Sequence, residues 1–213
     1  MPRLLPYLKA LQAHYGPPPE ASPDSPLEAL VRALLSSGAS TRSLDKAVKT
    51  MKVYGLLTLS RLRELDPDTL ALAIKPAGSA HAKAARLKSF VAWFVDRFGG
   101  DEERLKAVPP HQLREELLGI GGIGPETADA VLLEGLGLPS AVVDTPTYRV
   151  LTRHEFAIED AGYDDLKELV EKNLPRDAET LRTFRSLTDR VGREFCRPKA
   201  RCEQCPLRHL LPK

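Results

Sequence analysis

The chain has 213 residues, enough for one large domain or two small ones at about 150 residues per domain. Hydrophobic residues make up 42% and charged residues 28%, which excludes a wholly disordered chain, and 31 Lys+Arg against 29 Asp+Glu leaves a net charge of +2 that by itself implies no partner. No apolar run reaches the ~20 residues of a membrane helix, and MPRLLPYLKA has no signal-peptide core followed by a cleavage site, so a cytoplasmic protein without a membrane partner is expected.

Proline and glycine punctuate a series of helical patterns. The stretch 14–24 (HYGPPPEASPD) reads as irregular. Ser25-Pro26-Leu27-Glu28 predicts a capping box with proline at the first helical position, and Leu27, Leu30, Val31, Leu34 and Leu35 follow at helical spacing. Leu44, Ala47, Val48 and Met51 mark a second helix, and Asp66-Pro67 starts another toward Leu70 and Ile74. Ala84, Leu87, Val91, Phe94, Val95 and Phe98 form a long apolar stripe that Gly99-Gly100 stops. Pro109-Pro110, Gly124-Pro125 and Thr145-Pro146 open three more helices. Leu166, Leu169 and Val170 mark the next, and Leu181, Phe184, Leu187, Val191 and Phe195 the last. Only Ala141-Val142-Val143 has the composition of a strand, and it has no evident partner. The expectation is an all-α protein of about ten helices.

Leu117 to Asp129 (LLGIGGIGPETAD) joins two of these helices through Gly122-Ile123-Gly124. Glycines let the backbone turn tightly and approach a ligand, and the next helix offers backbone N–H groups and the positive end of its dipole to an anion such as a phosphate. Ile123 is expected to plug the gap between the helices. The plain alternative is a tight helix–helix turn with a glycine cap. Further on, Asp144 follows an apolar run and precedes a helix in Val142-Val143-Asp144-Thr145-Pro146-Thr147-Tyr148-Arg149-Val150; it reads either as an N-cap or as an acid placed at a site. All three cysteines, Cys196, Cys202 and Cys205, fall near the C-terminal end of the sequence, a poor disulfide framework and a pattern suited to a metal or cluster.

LLGIGGIGPETADAVLL followed by VVDTPTYRV resembles the helix–hairpin–helix DNA glycosylase superfamily, in its endonuclease III-like branch. LEALVRALLSSGAS resembles that branch's early helix and lesion-facing loop, IKPAGSAHAKAARLK its second loop and helix, and the Cys196–Cys205 tract its iron–sulfur loop, so the likeness spans roughly 25–208 in consistent order. The resemblance implies two helical lobes with a DNA-binding cleft between them, one from 40–140 and the other from 1–39 plus 141–213. It implies an enzyme of base excision repair that acts as a monomer, associated with the nucleoid, on double-stranded DNA carrying a damaged base. Such enzymes flip the base out and cut its glycosidic bond while a carboxylate stabilises the positive charge on the sugar or activates water. Asp144 stands at the position of the family's catalytic aspartate. Gly122, Ile123, Gly124 and Thr127 stand in its DNA-binding hairpin, and Gly38, Ser79, His81 and Lys83 in or beside its two base-facing loops.

Several positions depart from the branch. Bifunctional members carry a lysine that forms a Schiff base with the sugar. Glu126 stands there instead, which points to a glycosylase that uses water rather than to a lyase, with Glu126 either favouring its helix N-terminus or acting as a second acid. A lysine from elsewhere, or a non-catalytic DNA-binding role, are the alternatives. Gly38 stands where a space-filling glutamine is expected. Ser79 and Ala80 follow Gly78 where a bulky wedge is expected, leaving His81 as the nearest substitute. GIGPETAD also resembles relatives that remove alkylated purines, so a methylated purine is an alternative to an oxidised pyrimidine. The expected fourth cysteine falls at Leu211. A [4Fe–4S] cluster on three cysteines plus His209 or an outside ligand, a zinc on the same cysteines and His209, and a metal-free loop are the three outcomes. Arg197, Lys199 and Arg201 make the tract basic and suited to phosphates, beside Arg193 and Arg208.

Overall fold

A computed structural model describes residues 4–18 and 23–212; the expected irregular stretch 14–24 lies in part outside them. The described residues form α-helices joined by turns and no strand. In chain order they are α1 (Leu5–Tyr15), α2 (Pro26–Ser36), α3 (Thr41–Val53), α4 (Leu59–Glu64), α5 (Pro67–Ile74), α6 (Ala80–Phe98), α7 (Glu102–Lys106), α8 (Pro110–Leu118), α9 (Pro125–Ala130), α10 (Thr145–Arg153), α11 (Tyr163–Asn173) and α12 (Ala178–Glu194). The short α4 and α7 have too few turns to show a period, which is why their apolar pattern does not announce them.

The capping residues act largely as their chemistry dictates. Asp66 Oδ2 accepts from the Asp68 and Thr69 amides, and Asp177 Oδ1 from the Thr180 amide. The capping box before α2 differs from expectation. Ser25 Oγ accepts from the Glu28 amide, but the Glu28 carboxylate accepts from Asp24 and is buried between Arg32 (2.9 Å) and Lys52 (2.8 Å). These two cations compensate a burial that would otherwise push the carboxyl up, and they hold it below its usual range.

The chain divides into two compact units, Ser22–Leu138 and Met1–Ala21 with Pro139–Lys213. This places the described residues 23–39 with the middle block rather than with the termini. The reason is α2, whose Leu30, Val31, Leu34 and Leu35 are buried and which packs on α6, α9 and the π-helical turn Val131–Gly135. The contact is close: a Cβ at Gly135 would lie 3.0 Å from Leu30 Cδ2. Phe90 and Phe94 of α6, with Leu70 and Ile74 of α5, complete that unit's core.

In the other unit α12 is central, with α1 and α10 packed on it. Leu8 and Leu11 of α1, Val150 and Leu151 of α10, and Phe184, Leu187 and Val191 of α12 are buried. Ala141-Val142-Val143 is buried but forms no strand. The Ala141 amide donates to Glu171 Oε1 and the Val143 amide to the Tyr163 hydroxyl, so side chains of α11 supply the partners a sheet would have given.

The α10–α12 contact depends on Gly192. A Cβ there would sit 2.5 Å from Pro146 Cβ and 3.1 Å from Pro146 Cα. Gly192→Ala is expected to destabilise this unit, because overpacking costs about 1–3 kcal/mol while helix propensity returns only about 0.5–1 kcal/mol. The check is thermal unfolding, where a melting temperature equal to or above that of the unaltered chain would contradict the close-contact reading.

Candidate functional site

The glycine hairpin of the middle unit runs from the end of α8 to the start of α9. Ile120 and Ile123 are buried, and the Ile123 amide donates to the Ile120 carbonyl at 3.0 Å, so Ile123 plugs the hairpin as its sequence implied. Gly121, Gly122 and Gly124 are exposed. Gly122 has φ +82, a conformation that favours glycine. Its carbonyl accepts from Arg86 Nε at 2.7 Å, and Arg86 Nη1 donates to the Leu34 carbonyl at 3.1 Å. One guanidinium of α6 thus ties the hairpin to the last turn of α2, just before the exposed Gly38 loop. Neither contact is visible as a sequence pattern, since a lone arginine on a helix reads as a solvated charge.

One turn earlier on α6, Lys83 is 3% exposed and its Nζ donates to the Ala77 carbonyl at 2.7 Å. This corrects its reading as a DNA contact: the ammonium is spent on holding the second loop. That loop contains Gly78 (φ +75) and Ser79, whose φ of +45 is left-handed and unfavourable for a residue with a Cβ. Burial, with Arg86 adding repulsion, pushes Lys83 down to about 8, and the Glu126 carboxylate opposes both effects. Glu126 also favours the charge of Arg86, whose pKa burial lowers. Glu126 is therefore a half-buried counter-ion to two cations of α6, a role its sequence position does not show. Thr127 is buried. Asp129, 0% exposed, receives Arg114 Nε and Nη2 at 3.0 and 3.2 Å and locks α9 to α8. Ser79 and His81 are exposed, with His81 Nε2 3.7 Å from Asp68 Oδ1.

In the other unit Asp144 is the N-cap of α10. Its Oδ1 accepts from the Thr147 amide at 2.9 Å, and its Oδ2 lies 3.8 Å from Arg185 Nε of α12. Both side chains are largely buried. Burial pushes the carboxyl above the usual aspartate range, against Arg185 and the Thr147 amide, which pull it down. The buried Thr147 and Thr188 hydroxyls, 2.9 Å apart, fix the first turn of α10 to α12. Asp144 is thus the N-cap that one reading of its sequence expects, with Arg185 beside its second oxygen.

The opposite end of α10 reaches the cysteine tract. Cys196, Cys202 and Cys205 line one cavity together with Arg153, His154 and Leu211. Successive tight turns carry the tract, with the Cys205 amide on the Cys202 carbonyl and the Arg208 amide on that of Cys205. Arg153 donates to Cys196 Sγ at 3.4 Å and to the Arg197 and Pro198 carbonyls at 2.6 and 3.0 Å, tying α10 to the loop. Arg197, Lys199 and Arg201 are exposed along it. Among the described residues no three His, Cys, Asp or Glu side chains are arranged to hold a single metal ion. His209 is exposed and outside the cavity wall, which removes the basis for its reading as a ligand of zinc or of a cluster. His154, which sequence reading did not single out, is buried in that wall.

Residues 31–176 match the family described as HhH-GPD superfamily base excision DNA repair protein. A relative from Methanocaldococcus jannaschii, the DNA repair glycosylase candidate MJ1434, is 37% identical over 201 residues, covering 94% of this chain and 91% of the relative. Among solved structures, a trapped endonuclease III–DNA covalent intermediate has a TM-score of 0.76 at 24% identity, covering 95% of this chain and 91% of that one. A 3-methyladenine DNA glycosylase of H. pylori bound to 1,N6-ethenoadenine has a TM-score of 0.75 at 24% identity, covering 89% and 96%. These two likenesses are likenesses of fold.

Removing the Arg86 side chain in Arg86→Ala leaves the Gly122 and Leu34 carbonyls without their donor. Hydrogen exchange is expected to accelerate at least tenfold, on the order of 1.4 kcal/mol of local opening, at the Ile123 amide, while buried amides of α12 in the other unit keep their rates. Unchanged exchange at Ile123 would mean that the guanidinium does not hold the hairpin.

Proposed function

The chain belongs to the HhH-GPD superfamily of base excision DNA repair proteins, in the endonuclease III-like branch of DNA glycosylases, and on that footing we propose that it is a monofunctional N-glycosylase in which Asp144 directs water to the sugar of a damaged nucleotide in duplex DNA. Two carboxylates, one in each unit, carry this reading. Asp144 is anchored by the Thr147 amide and Arg185, while the position of the family's lyase lysine holds Glu126, which cannot form a Schiff base.

As the glycosidic bond lengthens, positive charge grows on the sugar and the Asp144 carboxylate offsets it. Water adds to C1′, one of its protons passes to Asp144, and the base departs with the electron pair of the broken bond. Arg185 favours the ionised carboxylate, against a burial that favours the neutral acid. The exposed hairpin backbone at Gly122 and Gly124 and the exposed Arg197, Lys199 and Arg201 supply phosphate contacts that fall off with salt. Gly38 and Ser79 leave the base-facing loops small, and together with the GIGPETAD motif they favour an alkylated purine as the first lesion to test. Cys196, Cys202 and Cys205 are proposed to hold a [4Fe–4S] cluster, which when bound would cross-link the basic loop to the end of α10; the thiols and Arg153 around one cavity suit such a group better than a single ion.

A second reading rests on Lys83, which burial pushes down to about 8, so that about a tenth of it is neutral and nucleophilic at pH 7. Against it, its Nζ is buried on the Ala77 carbonyl.

The test is single-turnover base release from duplexes carrying 3-methyladenine, thymine glycol, uracil or a mispaired adenine, each reaction divided with and without alkali. Strand breaks are expected only after alkali, and borohydride should trap no covalent adduct; an adduct lost in Lys83→Ala would establish the lyase reading instead. Base release from none of these duplexes, with binding retained, would support a non-catalytic role. Asp144→Asn should slow base release by about 10²–10⁴-fold with DNA binding retained. Because the carboxylate is the active form and its pKa is raised, the rate should fall on the acid side at a pH above the ordinary aspartate value of 3.8. Arg185→Gln removes a group that lowers that pKa, so it should move this limb to still higher pH. A limb unmoved by Arg185→Gln would assign it to another group.

A further inference from the structure

The cavity lined by Cys196, Cys202 and Cys205 has a fourth wall that cysteine spacing does not reveal. Leu211 stands there, at the position of the expected fourth cysteine, and has no donor atom in its side chain. His154, at the end of α10, lines the same cavity and is 7% exposed. We infer, on the premise of the cluster proposed above, that His154 is the fourth protein ligand and that the site is a three-cysteine, one-histidine [4Fe–4S] centre.

The surroundings of the ring fit this role. Nδ1 lies 3.4 Å from the Leu210 carbonyl, so a proton on Nδ1 has an acceptor and Nε2 keeps its lone pair. A ligating histidine typically has this arrangement, with the far nitrogen donating to a carbonyl or carboxylate that fixes tautomer and orientation. Tyr7 packs edge-on against the ring at 5.1 Å between centroids and donates its hydroxyl to the same Leu210 carbonyl at 2.6 Å. The ring is thereby confined before any ligand arrives. Arg153, the preceding residue, donates to Cys196 Sγ at 3.4 Å and so ties the end of α10 to the first cysteine of the tract. The nearer histidine by sequence, His209, is exposed and absent from the wall.

The position of His154 also links the cluster to the acid. Helix α10 has Asp144 at its N-cap and His154 at its C-cap. A cluster bound to His154 would fix the far end of the helix whose near end carries the carboxylate.

The test uses the full chain, reconstituted anaerobically with iron and sulfide, with histidine labelled with ¹⁵N in a parallel sample. Iron and sulfide content establishes assembly of the four-iron, four-sulfide cluster. Pulsed EPR of the reduced protein is expected to show a directly coordinated histidine nitrogen, identified by its change on ¹⁵N labelling. His154→Ala should lose that coupling and yield a cluster that drops one iron on mild oxidation. His154→Cys should restore a stable cluster with a lower reduction potential, because a thiolate replaces a neutral imidazole. His209→Ala should match the unaltered chain. A cluster that forms without nitrogen coupling in the unaltered chain overturns the assignment of His154 while leaving the cluster reading intact. Failure of the unaltered chain to bind iron and sulfide overturns both, and the measurement on the labelled, unaltered chain decides the matter even where His154→Ala does not fold.

Discussion

The close approach of α10 to α12 is the constraint from which the setting of Asp144 follows. Gly192 presents no side chain to Pro146, the Thr147 and Thr188 hydroxyls meet between the helices, and Arg185 reaches the Asp144 carboxylate from the neighbouring helix. Each contact requires the others. A wider spacing would take Arg185 from Asp144 and leave a largely buried carboxylate uncompensated, which is far more costly than exposing either charge. The same helix pair ends at the cysteine tract, where the Cys196 amide donates to the Val191 carbonyl of α12 and Arg153 of α10 donates to the loop beyond. One helix–helix contact therefore sets both the acid and the basic loop.

The middle unit solves a different problem: three irregular segments must be held without regular backbone pairing. Two cations on successive turns of α6 do this. Arg86 serves the hairpin and the end of α2, and Lys83 serves the loop before α6. Buried ammonium and guanidinium groups are costly without a counter-ion, and Glu126 supplies one from the start of α9. A lysine at position 126 would place a third positive charge beside these two. The exchange of the family's nucleophile for a carboxylate is thus consistent with the electrostatics of its surroundings as well as with water-based chemistry.

The relation to known proteins bears on the two units unequally. The matched family segment, 31–176, contains the hairpin, the two loops and Asp144, and stops short of the cysteines. The family match therefore covers the segment that holds Asp144, whereas the reading of the cysteine cavity stands on its own lining residues. Burial raises Asp144 while Arg185 lowers it.

Helix positions, the glycine turn, the proline starts and the capping role of Asp144 were legible in the sequence, because each rests on local chemistry: a cap bonds amides two or three residues on, a stripe repeats with the helical turn, and a left-handed turn needs glycine. The hairpin plug at Ile123 and the clustering of the cysteines followed from the same kind of reading. Residue partners distant in sequence were not legible. Lys83 looked like a DNA contact and is a buried brace, Glu28 looked like half a capping box and is a buried counter-ion, and His209 looked like the spare ligand while His154 occupies the cavity wall. The placement of α2 in the middle unit likewise depended on which faces bury each other. Spacing along the chain determines which groups one helix or turn can present; desolvation and charge pairing across the fold determine which of them become partners, and those depend on atoms that only folding brings together.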